Sequence, residues 1–103
     1  MSQPQFLYLA TTGWKTVRQH RIEIWFVEYN GKYYIVSEHP ERAHWVQNIR
    51  HNPQVAFSVG DKTFQGIAWA VKPGSELAAA VLELMNKKYK WSQGLIVELK
   101  PDP

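Results

Sequence analysis

Asn30-Gly31 stands between two apolar runs, Arg21 to Tyr29 and Lys32 to Ser37, and constrains the fold more than any other pair in the chain. The tightest hairpin turn needs positive φ at both central residues, which Asn and Gly tolerate best. A two-residue turn then sets the register. Phe26 faces Ile35 and Ile24 faces Ser37 on one side; Val27 faces Tyr34 and Trp25 faces Val36 on the other. Both sides are therefore apolar. One can line the interior of a barrel, and the other needs a helix, a ligand or a second subunit over it.

The remaining runs supply partners for this hairpin. Phe6 to Ala10 reads as a first strand, apolar on both faces. Glu41 to Arg50 reads as a short helix stopped by Asn52-Pro53, with Trp45, Val46 and Ile49 as its buried stripe and His44, Gln47, Asn48 and His51 on another side. Gln54 to Val59 and Thr63 to Val71 form a second hairpin around Gly60-Asp61. Gly66 inside a strand pattern signals a bulge or a close backbone approach. Ser75 caps a last helix whose Leu77, Val81, Leu84 and Met85 are spaced to face a core, and Leu95 to Leu99 ends the series as a strand. The fold class is mostly β: a small antiparallel barrel with two helices. At 103 residues it is one domain, 1–103.

Composition removes several chemistries. There is no Cys, which excludes disulfides and thiolate metal sites. None of His20, His39, His44 and His51 makes an i, i+4 pair on a helix, so no metal site is expected. Ser37, Ser58, Ser75 and Ser92 lack a nucleophile-elbow context. No apolar run is long enough to span a bilayer, and Met1-Ser2-Gln3-Pro4 lacks the marks of a signal peptide, so the reading is a soluble cytoplasmic protein.

One connection stands apart. Thr11-Thr12-Gly13-Trp14-Lys15-Thr16-Val17-Arg18-Gln19-His20-Arg21 sets hydroxyls and three cations around a glycine. It suits an anionic group such as a phosphate, and it also fits a solvated basic turn. Trp25, Trp45, Tyr89 and Trp91 can wall a flat ligand beside it, or simply pack a core. The same ingredients suit single-stranded nucleic acid, though a net charge of +3 does not demand it.

Four segments, Leu9 to Thr16, Ile22 to Phe26, Tyr33 to Ser37 and Trp45 to Pro53, resemble the deazaflavin-dependent nitroreductase family. These are flavin/deazaflavin oxidoreductases with a split β-barrel of the FMN-binding, pyridoxamine 5′-phosphate oxidase type. The resemblance implies coenzyme F-420 as cofactor, and quinones or nitroaromatics as hydride acceptors. It implies Lys15, Thr16 and Arg18 at the phosphate, the backbone of Val36, Ser37 and Glu38 beside the ring, and Trp45 beneath the cleft. Tyr89 is implied as a ring-side or substrate-side group. No catalytic side chain is implied, because the coenzyme carries the hydride. Where such loops carry Gly after the Lys-Thr pair and a basic residue three further on, this chain has Val17 and His20. FMN in the same barrel, and a non-enzymatic module for single-stranded nucleic acid, remain the alternatives. The uncovered hairpin face, and the absence of an N-terminal helix that some members carry, favour a homodimer.

Overall fold

The computed structural model describes residues 5–13, 18–91 and 93–102. In chain order the elements are β1 (Phe6–Thr12), β2 (Gln19–Tyr29), β3 (Lys32–Ser37), α1 (His44–His51), β4 (Gln54–Val59), β5 (Lys62–Ala70), α2 (Glu76–Tyr89) and β6 (Leu95–Pro101). Neighbouring strands are antiparallel in the order β1-β2-β3-β6-β5-β4, and β1 closes the barrel by pairing with β4. The expected barrel with two helices is the observed one. Among the described residues no helix is long and apolar enough to cross a membrane.

Asn30 and Gly31 take φ values of 52° and 75°, and the turn sets Phe26 opposite Ile35 and Val27 opposite Tyr34 as expected. The register does not extend further. Trp25 and Ile24 pair with Phe6 and Leu7 of β1 instead of Val36 and Ser37. β1 also departs from expectation: it alternates, with Leu7 and Leu9 fully buried and Phe6 and Tyr8 exposed, as befits a strand with one face in water. The first helix begins at His44 rather than Glu41, because the chain from His39 first makes a turn in which Arg42 N–H and Ala43 N–H both donate to His39 O. At Gly66 a Cβ would run into the Lys100 carbonyl, so β5 and β6 approach too closely there for any side chain.

Two apolar clusters hold the molecule together. Leu9, Phe26, Ile35, Phe57, Val97 and Leu99 fill the barrel, and Trp45, Val46 and Ile49 of α1 belong to the same cluster. Outside the barrel, Val81 and Met85 of α2 pack on Val27, Tyr34, Val36 and Ile96. The second hairpin face is thus covered within the chain by α2, and the argument for a partner subunit over that face falls away. Ser75 caps α2 as expected, its Oγ accepting from Ala78 N–H at 3.1 Å.

Beneath this helix Tyr34 donates its hydroxyl proton to Glu98 Oε1 at 2.9 Å, with both side chains almost wholly buried. Glu98 Oε2 accepts no hydrogen bond among the described residues, and the Lys32 ammonium is 4.0 Å away. Tyr34→Phe would strip the carboxylate of its donor as well, and the expected loss is about 1–3 kcal/mol in urea unfolding. Burial, then the Glu98 hydrogen bond, then the Glu98 and Tyr29 charges hold the Tyr34 hydroxyl far above its usual range. The unfolded chain releases that proton first, so the contribution is complete below about pH 10 and declines above it. Tyr34→Phe should flatten the alkaline limb of the stability curve; an unchanged limb would show that Tyr34 does not control it.

Candidate functional site

β2 belongs to two ladders. Gln19 to Trp25 pair with β1, and Phe26 to Tyr29 pair with β3. The far end of β3, Val36 and Ser37, pairs with β6. The sheet therefore forks at Phe26, and a cleft of about 330 Å3 lies in the fork. Trp25, Trp91, Phe6 and Val36 give it apolar walls, while Glu23 of β2 and Glu38 just beyond β3 line it from opposite strands.

The C-terminal end of α2 takes over from β1 at the fork. Phe26 N–H donates to the Tyr89 hydroxyl at 3.0 Å, and that hydroxyl lies 2.8 Å from Phe26 O and 2.7 Å from Gln5 O. Its single proton serves one carbonyl at a time. Gln5 is where the next residue of β1 would have faced Phe26, so the phenol takes the place of a missing ladder rung. Lys88 Nζ also donates to Phe26 O, at 2.9 Å, and sits 3.9 Å from the centroid of the Phe26 ring. Burial lowers the Lys88 ammonium pKa from its ordinary value. Burial raises the Tyr89 phenol, against the opposing effect of its Phe26 hydrogen bond.

These bonds also fix which backbone groups face the cleft. Phe26 spends both its N–H and its C=O on Tyr89, so Phe26 and Ile35 are not the pair that exchanges ladder bonds. By alternation Val27 and Tyr34 are, and the N–H and C=O of Val36 then point toward the fork. Trp25 is braced in the cleft wall, because the Tyr89 ring stacks on it at 4.4 Å and 2°, and Trp91 meets it edge-on at 6.0 Å and 78°.

The structure brings together some of the residues named from sequence and separates others. Val36 and Glu38 line the cleft. Ser37, next to both, is buried, and its carbonyl lies against Gly94. Trp45 packs in the barrel core and is not among the residues lining the cleft. Tyr89 stands behind Trp25 as a brace rather than in the cleft. Arg18 is exposed at the base of the β1–β2 connection, where Gly13 N–H donates to Arg18 O at 2.6 Å. Lys15 and Thr16 lie outside the described residues. Arg21 sets its guanidinium 4.5 Å from the centroid of the Tyr8 ring.

Sequence reasoning missed Glu23 and Phe6 as cleft residues. Glu23 and Trp25 lie two apart in β2 and share a face, which was the available signal. It also named no partner for Asn48, which is buried and donates through Nδ2 to Thr11 Oγ1 at 2.9 Å. That bond ties α1 to β1 just before the cationic connection departs.

Residues 1–93 match the F-420H(2)-dependent quinone reductase family. An F-420H(2)-dependent quinone reductase from Mycobacterium tuberculosis is 30% identical over 87 residues, 82% of this chain and 58% of the relative. The chain thus spans less than two thirds of the length of that curated relative. Among solved structures, the heme storage protein HutZ from Vibrio cholerae superposes with a TM-score of 0.80 at 22% identity, covering 96% of this chain and 82% of that one. An F-420-H2-dependent reductase gives a TM-score of 0.76 at 24% identity, covering 93% and 94%. At these identities the likeness is one of fold: the split β-barrel that pyridoxamine 5′-phosphate oxidases share.

Proposed function

The chain belongs to the F-420H(2)-dependent quinone reductase family, and from that premise we propose that it binds reduced coenzyme F-420 and passes hydride to a quinone or nitroaromatic-type acceptor. The observation that carries the reading is the fork at Phe26, a flat-walled cleft with backbone donor and acceptor groups along one edge. The deazaflavin, once bound, supplies the hydride. The chain's own work is positional. Val36 presents its N–H and C=O to the rim of a planar ring, and Trp25 and Trp91 exclude water from its surroundings. Lys15, Thr16 and Arg18 hold the phosphate in this reading, with Arg21 further along β2 toward the cleft. Solvent can provide the proton that completes a two-electron reduction.

Titration of the purified protein with reduced coenzyme F-420, followed by deazaflavin fluorescence, is expected to saturate in the micromolar range. Absence of binding at high micromolar coenzyme, or release of FMN from the protein as isolated, would overturn the assignment. Lys15→Ala is expected to weaken binding by about 1.5–3 kcal/mol, the range for hydrogen bonds to charged groups. Its thermal midpoint should stay at the wild-type value, since exposed charges add little stability. Unchanged affinity would put the phosphate elsewhere.

A further inference from the structure

We infer that the cleft selects its acceptor by charge, admitting neutral or cationic planar molecules and rejecting anionic ones, with Glu23 and Glu38 as the specificity-determining residues. The inference rests on the proposed reading of the cleft as the place where the coenzyme ring meets its acceptor, the acceptor entering past the cleft's rim. Its own observations are the two carboxylates and the company they keep. Glu23 comes from β2 and Glu38 from the turn after β3, so an entering molecule passes between acidic groups on opposite sides of the fork. Both side chains are exposed rather than tied up in the core. Among the described residues lining this cleft there is no Lys, Arg or His. The other walls are aromatic, and an aromatic face is itself negative and favours cations.

The cations lie elsewhere. Arg18 and Arg21 sit at the β1–β2 connection and the start of β2, and the Arg21 guanidinium is turned onto the Tyr8 ring. Charge is thus segregated along β2, basic toward the connection and acidic at the fork. An anionic coenzyme tail and an anionic acceptor would therefore meet opposite environments. Like charges within several ångströms, in a site half screened by protein, are enough to shift relative affinity about tenfold or more.

The test compares a naphthoquinone with its monosulfonate, which share a ring and differ in charge. Two readouts are taken: quenching of tryptophan fluorescence in the protein without coenzyme, and kcat/KM with reduced coenzyme F-420. Wild type is expected to favour the neutral quinone about tenfold or more in both. Glu23→Gln with Glu38→Gln should shrink that ratio several-fold. Because each variant is compared on the same pair of molecules, their intrinsic reactivity cancels. A ratio unchanged by the double substitution overturns the inference, even if the coenzyme binds well. A charge preference in quenching that the double substitution removes, in a protein that fails to bind the coenzyme, supports the inference and overturns only the deazaflavin reading.

Discussion

Gly94→Ala is expected to destabilise the protein by about 3 kcal/mol or more, combining backbone strain with overpacking. Gly94 has a φ of 132°, a region that side chains other than hydrogen scarcely enter. A Cβ there would also strike the Ser37 carbonyl and lie 2.9 Å from Glu38 Cα, both of them backbone atoms that cannot rotate aside. For a domain of this size the change corresponds to a fall in Tm of roughly 12–20 °C. The affected atoms belong to the stretch that borders the cleft, so coenzyme affinity should fall in the fraction that stays folded. Gly74→Ala is the control. Gly74 has a φ of 79° but nothing within 4 Å of a new Cβ, so it reports strain without crowding and should cost about 1 kcal/mol. Equal losses at the two positions would mean that β6 does not press on Ser37 as described.

Tyr89 carries the second large effect. Tyr89→Phe removes the hydroxyl that fills the gap between Gln5 and Phe26, and about 1–3 kcal/mol should be lost because Phe26 N–H and Gln5 O lose that partner, while Phe26 O keeps the Lys88 ammonium. Tyr89→Ala also removes the ring stacked on Trp25, bringing the total to about 3–5 kcal/mol. Chemical unfolding measures both. Coenzyme affinity should fall more in the Ala variant than in the Phe variant, because only the former lets the Trp25 wall move. A tyrosine touching substrate would behave differently: Tyr89→Phe would then depress turnover and leave stability untouched.

Local chemistry made much of the barrel legible. The Asn30-Gly31 turn, the Phe26–Ile35 register, the Ser75 cap and the close approach at Gly66 each follow from a rule that needs only neighbouring residues. The fork does not, because periodicity in β2 says that both faces are apolar and nothing about which strand lies alongside. Continuing the hairpin register to Trp25 and Val36 was the natural extrapolation, and it fails where β1 claims the strand. The Asn48 bond was hidden for a related reason. An amide on the polar side of a helix looks solvated until a buried hydroxyl from a distant strand, here Thr11, meets it. Of the residues lining the cleft, Val36 and Glu38 were named through the family resemblance, whereas Glu23 beside Trp91 and the bracing of Trp25 by Tyr89 depend on contacts across more than sixty residues.

The position of β6 bears on how the protein is made. Leu95–Pro101 follows every other described element in sequence yet lies between β3 and β5, hydrogen-bonded to both. While the chain is being synthesised, the strands from β1 to β5 have no seam to close on. Val97 and Leu99, which complete the interior, arrive last. An emerging chain exposes the edges of β3 and β5 together until Leu95–Pro101 arrives to pair with both, and in that interval either edge is open to pairing with another chain.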